Sequence, residues 1–161
     1  MTVSTPLLPF VSIRDLALNP AHPVVEGLLY PKGSQSAGEP LLRQRLRELK
    51  QLGVEGFFDA RLPNAKRLGK WHALGLGYRG VVLLALWRGK TVALKLRRMD
   101  LSPADVVSLL PEAEALRLAN GVGVGPTCWA ASDHCIVMDW VRGDRQFFKL
   151  HYFTKGWLER R

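Results

Sequence analysis

The sequence predicts an α+β fold: an antiparallel sheet of about five strands with one helix, preceded by an N-terminal arm and an amphipathic helix. Residues 81–87 and 91–97 have the composition and spacing of two strands on either side of a short turn. Residues 40–52 instead repeat leucine at helical spacing. With 161 residues, 47% of them hydrophobic, the chain has enough apolar side chains for one core.

The first 38 residues are predicted to form a poorly structured arm. They contain many Pro, Gly and Ser residues, including the turn-rich stretches "NPAHP" and "PKGSQSAGEP", and their periodicity is weak. An amphipathic helix and a linker are expected over residues 39–68. The helix ends at Gly53, and its apolar stripe consists of Leu41, Leu42, Leu46, Leu49 and Leu52. This stripe favours packing on the helix's own domain, and docking of a partner is the alternative.

The main domain is expected over residues 69–145. Its predicted elements are strands at 81–87 and 91–97 joined by a turn at 88–90, a helix from 102 to 121 interrupted at Pro111, and strands at 127–130 and 135–141. The last segment, residues 146–161, is a basic tail that is rich in aromatic residues.

Two phosphate-binding signatures overlap near the turn, and neither fits its usual fold. The tripeptide Gly89-Lys90-Thr91 lacks the earlier glycine of a P-loop, because position 84 is leucine, and it lies between two strands. A dinucleotide-binding loop requires a helix directly after its third glycine, whereas a strand follows Gly80. The pattern instead indicates a glycine-rich flap between antiparallel strands. In this flap Gly75, Gly77 and Gly80 let backbone amides approach phosphate oxygens.

Strand periodicity places three further side chains on one face of the predicted hairpin. Val82 follows Gly80 by two residues, and Ala93 and Lys95 are also two apart, so all three can face a bound nucleotide. The intervening residues Val92, Leu94 and Leu96 then face the core. The alternative is that Lys95 only buries its aliphatic stem and has no binding role.

These residues carry a resemblance to a known family. "GLGYRGVV" resembles the glycine-rich loop of protein kinases, and "VALK" resembles their lysine strand. The resemblance implies a kinase-like N-terminal lobe, with ATP as cofactor and Lys95 on its phosphates. It also implies a glutamate on the following αC-type helix that pairs with the lysine, for which Glu112 and Glu114 are the candidates. "PEAEALRLANGVGVGP" is similar to small atypical kinases of the RIO and aminoglycoside-phosphotransferase-like groups, which favours Glu112.

The stretch "IVMDWVRGD" resembles the fifth strand and hinge of the kinase fold. By this resemblance Met138 lies beside the nucleotide base, and the backbones of Asp139 and Val141 bind the adenine edge. The family's catalytic aspartate and magnesium-binding motif have no counterpart in the sequence, and Asp144 is the last aspartate. No metal-binding residues are therefore predicted, and magnesium is expected only together with a complementing C-terminal lobe.

The resemblance implies the ATP-binding lobe of a serine/threonine protein-kinase-like phosphotransferase. We expect it to be truncated and not catalytically competent alone, although a lobe completed by a partner protein, or a lobe that stands alone, fits the same residues. The alternative is a basic, non-enzymatic adaptor that binds nucleic acid or a protein partner through residues 40–52 and the tail. The net charge of +9 permits this alternative, but the basic residues are scattered, which disfavours a nucleic-acid surface.

Composition also restricts the setting of the protein. No apolar run reaches the roughly 20 residues that cross a bilayer, and the N-terminus lacks the pattern of a signal peptide, so we expect a cytoplasmic protein without a membrane partner. Cys128 and Cys135 are too few for a disulfide framework or a zinc site, and both are expected to be reduced thiols.

Overall fold

A computed structural model describes residues 8–31, 38–98 and 108–141. These ranges form a mixed α+β structure whose helices are α1 (Ile13–Leu18), α2 (Val25–Leu28), α3 (Glu39–Gln51) and α4 (Leu110–Gly121). The strands are β1 (Phe10–Ser12), β2 (Val54–Phe58), β3 (Lys66–Leu68), β4 (Trp71–Ala73), β5 (Gly75–Gly77), β6 (Gly80–Trp87), β7 (Lys90–Arg97), β8 (Cys128–Ala131) and β9 (Cys135–Asp139). None of the helices in the described ranges has the length and apolar character needed to span a membrane.

The main sheet is antiparallel at each of its pairings, in the order β1-β2-β6-β7-β9-β8. One edge of β6 is shared, because β5 pairs with its first residues and β2 with its last ones. The predicted antiparallel hairpin is confirmed, with a register that runs from Gly80 opposite Arg97 to Trp87 opposite Lys90. The sheet has seven strands rather than about five. The additional strands β1 and β2 lie in segments that were assigned to the arm and the linker.

The turn between β6 and β7 contains two residues, Arg88 and Gly89. Both have positive φ angles, of 45° and 74°. Two-residue hairpin turns with positive φ at both positions match the right-handed twist of the strands they join. Gly89 takes this conformation without strain because it has no Cβ, whereas Arg88 does not have that freedom.

Helices α1, α2 and α3 pack on one face of the sheet, and the main hydrophobic core lies between them and that face. Helix α3 buries Leu42, Leu46 and Leu49. These residues are at positions i, i+4 and i+7 and therefore lie on one side of the helix. They contact the buried face of the central hairpin, which includes Val92, Leu94 and Leu96 as expected. The prediction that these strand residues face the core is therefore confirmed.

The prediction of a poorly structured arm over residues 1–38 is wrong for residues 8–31. Leu16, Val25 and Leu28 are fully or almost fully buried and belong to the same core as the sheet. The helices that carry them have six and four residues, which is too short for a hydrophobic period to be recognised between Pro and Gly. Residues 1–7 and 32–37 lie outside the described ranges, as does the tail at 146–161.

The expected linker after α3 is also part of the domain. It contains β2, whose Phe57 is buried and which pairs with both β1 and β6. Residues 102–107 of the expected helix lie outside the described ranges, and the described helix begins at Leu110 with Pro111 in its first turn. Proline is tolerated there because the first amides of a helix have no intrahelical partner.

Candidate functional site

The second face of the sheet carries the side chains that sequence reasoning assigned to a nucleotide site. Val82 lies opposite Lys95 across the β6–β7 hairpin, and Ala93 lies opposite Met138 across β7 and β9. Because alternate residues of a strand face opposite sides, these four side chains share the face turned away from the core. The antiparallel register brings them together from three strands. It does so although they are far apart in sequence.

Lys95 forms an ion pair with Glu112. Its ammonium lies 2.5 and 2.7 Å from the two carboxylate oxygens, so the pair is bidentate at the carboxylate. The lysine side chain is 20% exposed and the glutamate side chain 42% exposed. Glu114, the other candidate, is exposed on α4 two residues further on. Residues two apart on a helix do not share a face, so Glu112 and not Glu114 is brought to Lys95.

A small second cluster places α4 over this face. Leu109 and Ala113 are buried against Ile136 of β9, with Leu116 and Met138 partly buried around them. Ala113 adjoins Glu112 in the first turn, so burial of the one orients the carboxylate of the other towards β7. The apolar contacts of this cluster therefore set the position of the ion pair. An exposed ion pair contributes only about 0–1 kcal/mol and would not hold the helix by itself.

The glycine-rich segment forms a short hairpin, as the flap interpretation requires. Gly75 lies opposite Val82 and Gly77 opposite Gly80, which leaves Tyr78 and Arg79 as its two-residue turn. Arg98, just after β7, holds this turn in place: its amide donates to the carbonyl of Arg79 and its guanidinium to the carbonyl of Tyr78, each at 3.1 Å. Sequence reasoning did not identify Arg98, because nothing local indicates that the two segments meet.

The three glycines of the flap are not equivalent. A Cβ on Gly80 would overlap the backbone carbonyl of Leu96, so the close approach of β6 and β7 requires glycine at that position. A Cβ on Gly75 or Gly77 would meet its nearest atoms at 3.9 and 3.8 Å, which is ordinary van der Waals contact. The fold therefore accounts for Gly80 but not for Gly75 or Gly77. An extra methyl group at those two positions would extend into space that the described residues do not fill.

The segment that resembles a hinge is partly engaged within the protein. The amide of Asp139 donates to the carbonyl of Thr127 at 2.9 Å, and its carboxylate accepts the indole N–H of Trp129 at 2.7 Å. Burial raises the pKa of Asp139, but hydrogen bonds from Thr127 and Trp129, with Lys90 nearby, leave that pKa below its ordinary value. Val141 is 58% exposed at the end of the described range. The amide of Asp139, by contrast, already has a partner within the protein.

A separate polar network joins α3 to the β8–β9 turn. Arg45 is buried and donates to the carbonyls of Arg97 and His134, at 3.1 and 3.4 Å. Glu48 accepts from Ser132 at 2.5 Å and contacts His134 at 3.1 Å. This arrangement satisfies carbonyl groups at the edge of the sheet and fixes the helix there. Arginine is seldom buried, and nothing in the local sequence around position 45 indicates this burial.

Both cysteines are free thiols, as expected. Cys135 is fully buried beside Ser132, and burial raises its pKa to about 11. Among the described residues no group of three or more His, Cys, Asp or Glu side chains is arranged to hold a metal ion.

No protein-family model matches the chain, and no curated protein or solved structure matches it either. Its function is therefore inferred from the arrangement of its own residues.

Proposed function

We propose that residues 69–141 are the ATP-binding part of a serine/threonine protein-kinase-like phosphotransferase. The observation that carries this proposal is the Lys95–Glu112 ion pair on the sheet face that continues into the glycine hairpin. An ammonium fixed by a carboxylate beside a glycine hairpin is suited to phosphate oxygens, because it presents a positive charge in a set geometry.

Different residues of the site are proposed to contact the phosphates and the base. Lys95 contacts phosphate oxygens and Glu112 orients it, whereas Gly75 and Gly77 let the flap approach those oxygens. A Cβ at either of these two glycines would make only ordinary van der Waals contacts, so the fold gives no other reason for glycine there, and this supports the role. Gly80 serves mainly to bring the two long strands together.

The base would lie against the apolar part of the same face. Val82, Ala93 and Met138 are buried or partly buried there and offer a surface without charge. The hydrogen-bond donor to the adenine edge is the backbone of Val141, because the amide of Asp139 is engaged by Thr127. The carbonyl of Asp139 is the remaining hinge acceptor in this proposal.

The chain alone is proposed to bind ATP without transferring phosphate. Phosphoryl transfer depends on positioned metal ions and on a group that orients the acceptor, and the residues that would provide them do not occur in this sequence. Magnesium and the acceptor would require a second lobe, contributed by another segment or by a partner protein. Phosphate release by the purified chain should therefore equal that of the Lys95→Met variant.

Direct binding tests the proposal. The full chain is titrated with a fluorescent ATP analogue, and Lys95→Met is expected to weaken binding at least about tenfold, equivalent to about 1.4 kcal/mol. Lys50→Met is the matched control, because Lys50 is exposed on α3, which packs on the other face of the sheet. Absence of analogue binding, or equal binding by the wild type and Lys95→Met, would show the site assignment to be wrong.

A further inference from the structure

An open groove lies on the other side of the molecule, between α1, α3 and the β6–β7 turn. Its volume is about 1260 Å³. This exceeds the roughly 300–1,000 Å³ of common small-molecule pockets and suits an extended ligand such as a peptide segment. The helices that form the groove pack on the core face of the sheet, whereas Lys95 is on the opposite face. The groove is therefore a site distinct from the proposed nucleotide site.

The rim of the groove is basic. Arg43, Arg47 and Lys50 follow one another at i, i+4 and i+7, so they form one row along α3. Arg14 of α1 and Arg88 of the turn add positive charge from the other sides. All five side chains belong to exposed residues. Arg43 forms an ion pair with Glu39, but both side chains are exposed to water, so Arg43 can still contact a ligand in the groove.

Two carboxylates also line the groove, and each already has a partner within the protein. Asp15 accepts the hydroxyl of Ser12 at 2.7 Å and belongs to the capping contact of α1. Glu55 accepts the amide of Gly89 at 3.0 Å. Five basic and two acidic residues leave the groove with a positive field, which favours an anionic ligand.

The backbone at Arg88 has a conformation that is uncommon for arginine. Its φ of 45° is uncommon for any residue other than Gly, Asn or Asp. The turn is held by the Glu55–Gly89 hydrogen bond and by the amide of Arg88, which donates to the carbonyl of Gly53 at 3.3 Å. The Arg88 guanidinium lies 5.1 Å from the centroid of the Trp87 ring, and from this turn it adds a positive charge to the groove.

The remaining lining residues are mostly apolar and include no aromatic side chain. Ile13, Ala17, Leu18, Leu46 and Val54 contribute to the groove. Leu18 is 82% exposed and lies within this apolar lining. Single-stranded nucleic acids are bound through aromatic stacking as well as charge, and a flat membrane does not fit a concave surface. The groove therefore favours a ligand that is apolar on one side and acidic around it.

We propose that this groove binds an acidic amphipathic helix of a partner protein. Such a helix presents apolar residues at i, i+3, i+4 and i+7 to a groove, and its carboxylates then face the rim cations. The chain's own C-terminal segment does not have this character, because residues 142–161 contain six basic and two acidic residues. Charge complementarity thus favours a separate, acidic partner over this segment.

A peptide-binding experiment with the full chain tests the proposal. The probe is a labelled peptide of about 20 residues with leucine on one helical face and glutamate on the others, followed by fluorescence anisotropy. The wild type is expected to bind it saturably. The double variant Arg47→Glu/Lys50→Glu should weaken binding at least about tenfold, and Leu18→Ser should weaken it severalfold without reversing any charge.

Matched controls separate this site from general charge attraction. Lys66→Glu/Arg117→Glu makes the same charge change at exposed positions outside the groove and should retain wild-type affinity. A peptide of identical composition with its leucines spread around the helix should bind much more weakly. Equal binding of both peptides, or no peptide binding, would overturn the proposal. Tighter binding of a thymidine oligonucleotide or of phosphatidylserine vesicles would overturn it in favour of those ligands.

Discussion

The ammonium of Lys95 on β7 lies 2.5 and 2.7 Å from the two carboxylate oxygens of Glu112 on α4. The two residues are 17 positions apart in sequence, so this contact connects the central hairpin to the only described helix on that face of the sheet. It makes the position of the lysine depend on the position of the helix. Neither residue belongs to the hydrophobic core, so substituting either one tests this contact without removing a core side chain.

Neutralising Glu112 should reduce nucleotide affinity through the lysine. Glu112→Gln leaves the size of the side chain unchanged but removes the charge that orients Lys95, and we expect binding of the ATP analogue to weaken about three- to tenfold. Glu114→Gln makes the same change two residues away, where the side chain is exposed, and should leave the affinity unchanged. Equal losses in both variants would mean that overall charge, and not the ion pair, determines binding.

Alanine substitutions should distinguish the three glycines of the flap. Gly80→Ala is expected to lower the free energy of unfolding by about 1–3 kcal/mol, because its Cβ overlaps the carbonyl of Leu96. Gly75→Ala and Gly77→Ala should change that free energy by less than about 1 kcal/mol and yet weaken nucleotide binding. Urea denaturation and the binding assay measure the two effects on the same samples. A Gly77→Ala variant that is stable and binds normally would argue against the flap.

Residues 8–31 should contribute to stability as part of the core. Leu16→Ala is expected to lower the free energy of unfolding by about 2–5 kcal/mol, because the side chain is fully buried. Leu18→Ala on the same helix should change it by less than about 0.5 kcal/mol, since that side chain is 82% exposed. Urea denaturation of both variants checks this expectation, and similar midpoints for the two would contradict the packing of α1.

Acid should destabilise the protein partly through Asp59. This residue is buried; burial raises its pKa, but hydrogen bonds from Arg61 and His72 leave that pKa below its ordinary value. A lowered pKa stabilises the fold above the unfolded value of about 3.9, and the contribution is lost as the pH falls through the folded value. We therefore expect stability to fall more steeply below about pH 4 in the wild type than in Asp59→Asn.

The difference in slope between these two proteins has an upper limit. A single titrating group changes the free energy of unfolding by at most about 1.4 kcal/mol per pH unit. Urea denaturation at several acidic pH values measures this slope for both proteins. Asp59→Asn should also be less stable at neutral pH, because an amide does not replace the charge that Arg61 contacts at 2.7 Å. Parallel stability curves for wild type and variant would rule out this contribution of Asp59.

The two cysteines should differ in their reactivity. Cys135 is fully buried with a pKa of about 11, so little thiolate is present near neutral pH and reagents have no access to it. Cys128 is partly exposed and should be alkylated by iodoacetamide first. Mass spectrometry of the native protein should show one modification before unfolding and two after it. Simultaneous modification of both cysteines would indicate that β9 opens readily.

Several features follow from local patterns and could be predicted from the amino-acid sequence. The hairpin of β6 and β7 depends on alternation and on a two-residue turn, and these are properties of neighbouring residues. The same alternation separates Lys95 from Leu94 and Leu96. Helix α3 follows in the same way from the spacing of its leucines. Short-range geometry is sufficient in each case, because the period of a strand or helix decides which side chains share a face.

Other features depend on contacts between distant segments and were missed or left open. Leu16 and Phe57 belong to the core because β1 and β2 extend the sheet, although neither segment has a clear period of its own. Which glutamate pairs with Lys95 depends on the orientation of α4 about its own axis, and the burial of Ala113 sets that orientation. The burial of Arg45 requires carbonyls from two other segments. Local alternation thus accounts for the hairpin and for the face on which Lys95 lies. Long-range packing selects Glu112 as the partner of Lys95, because the burial of side chains that are distant in sequence sets the orientation of each helix and strand.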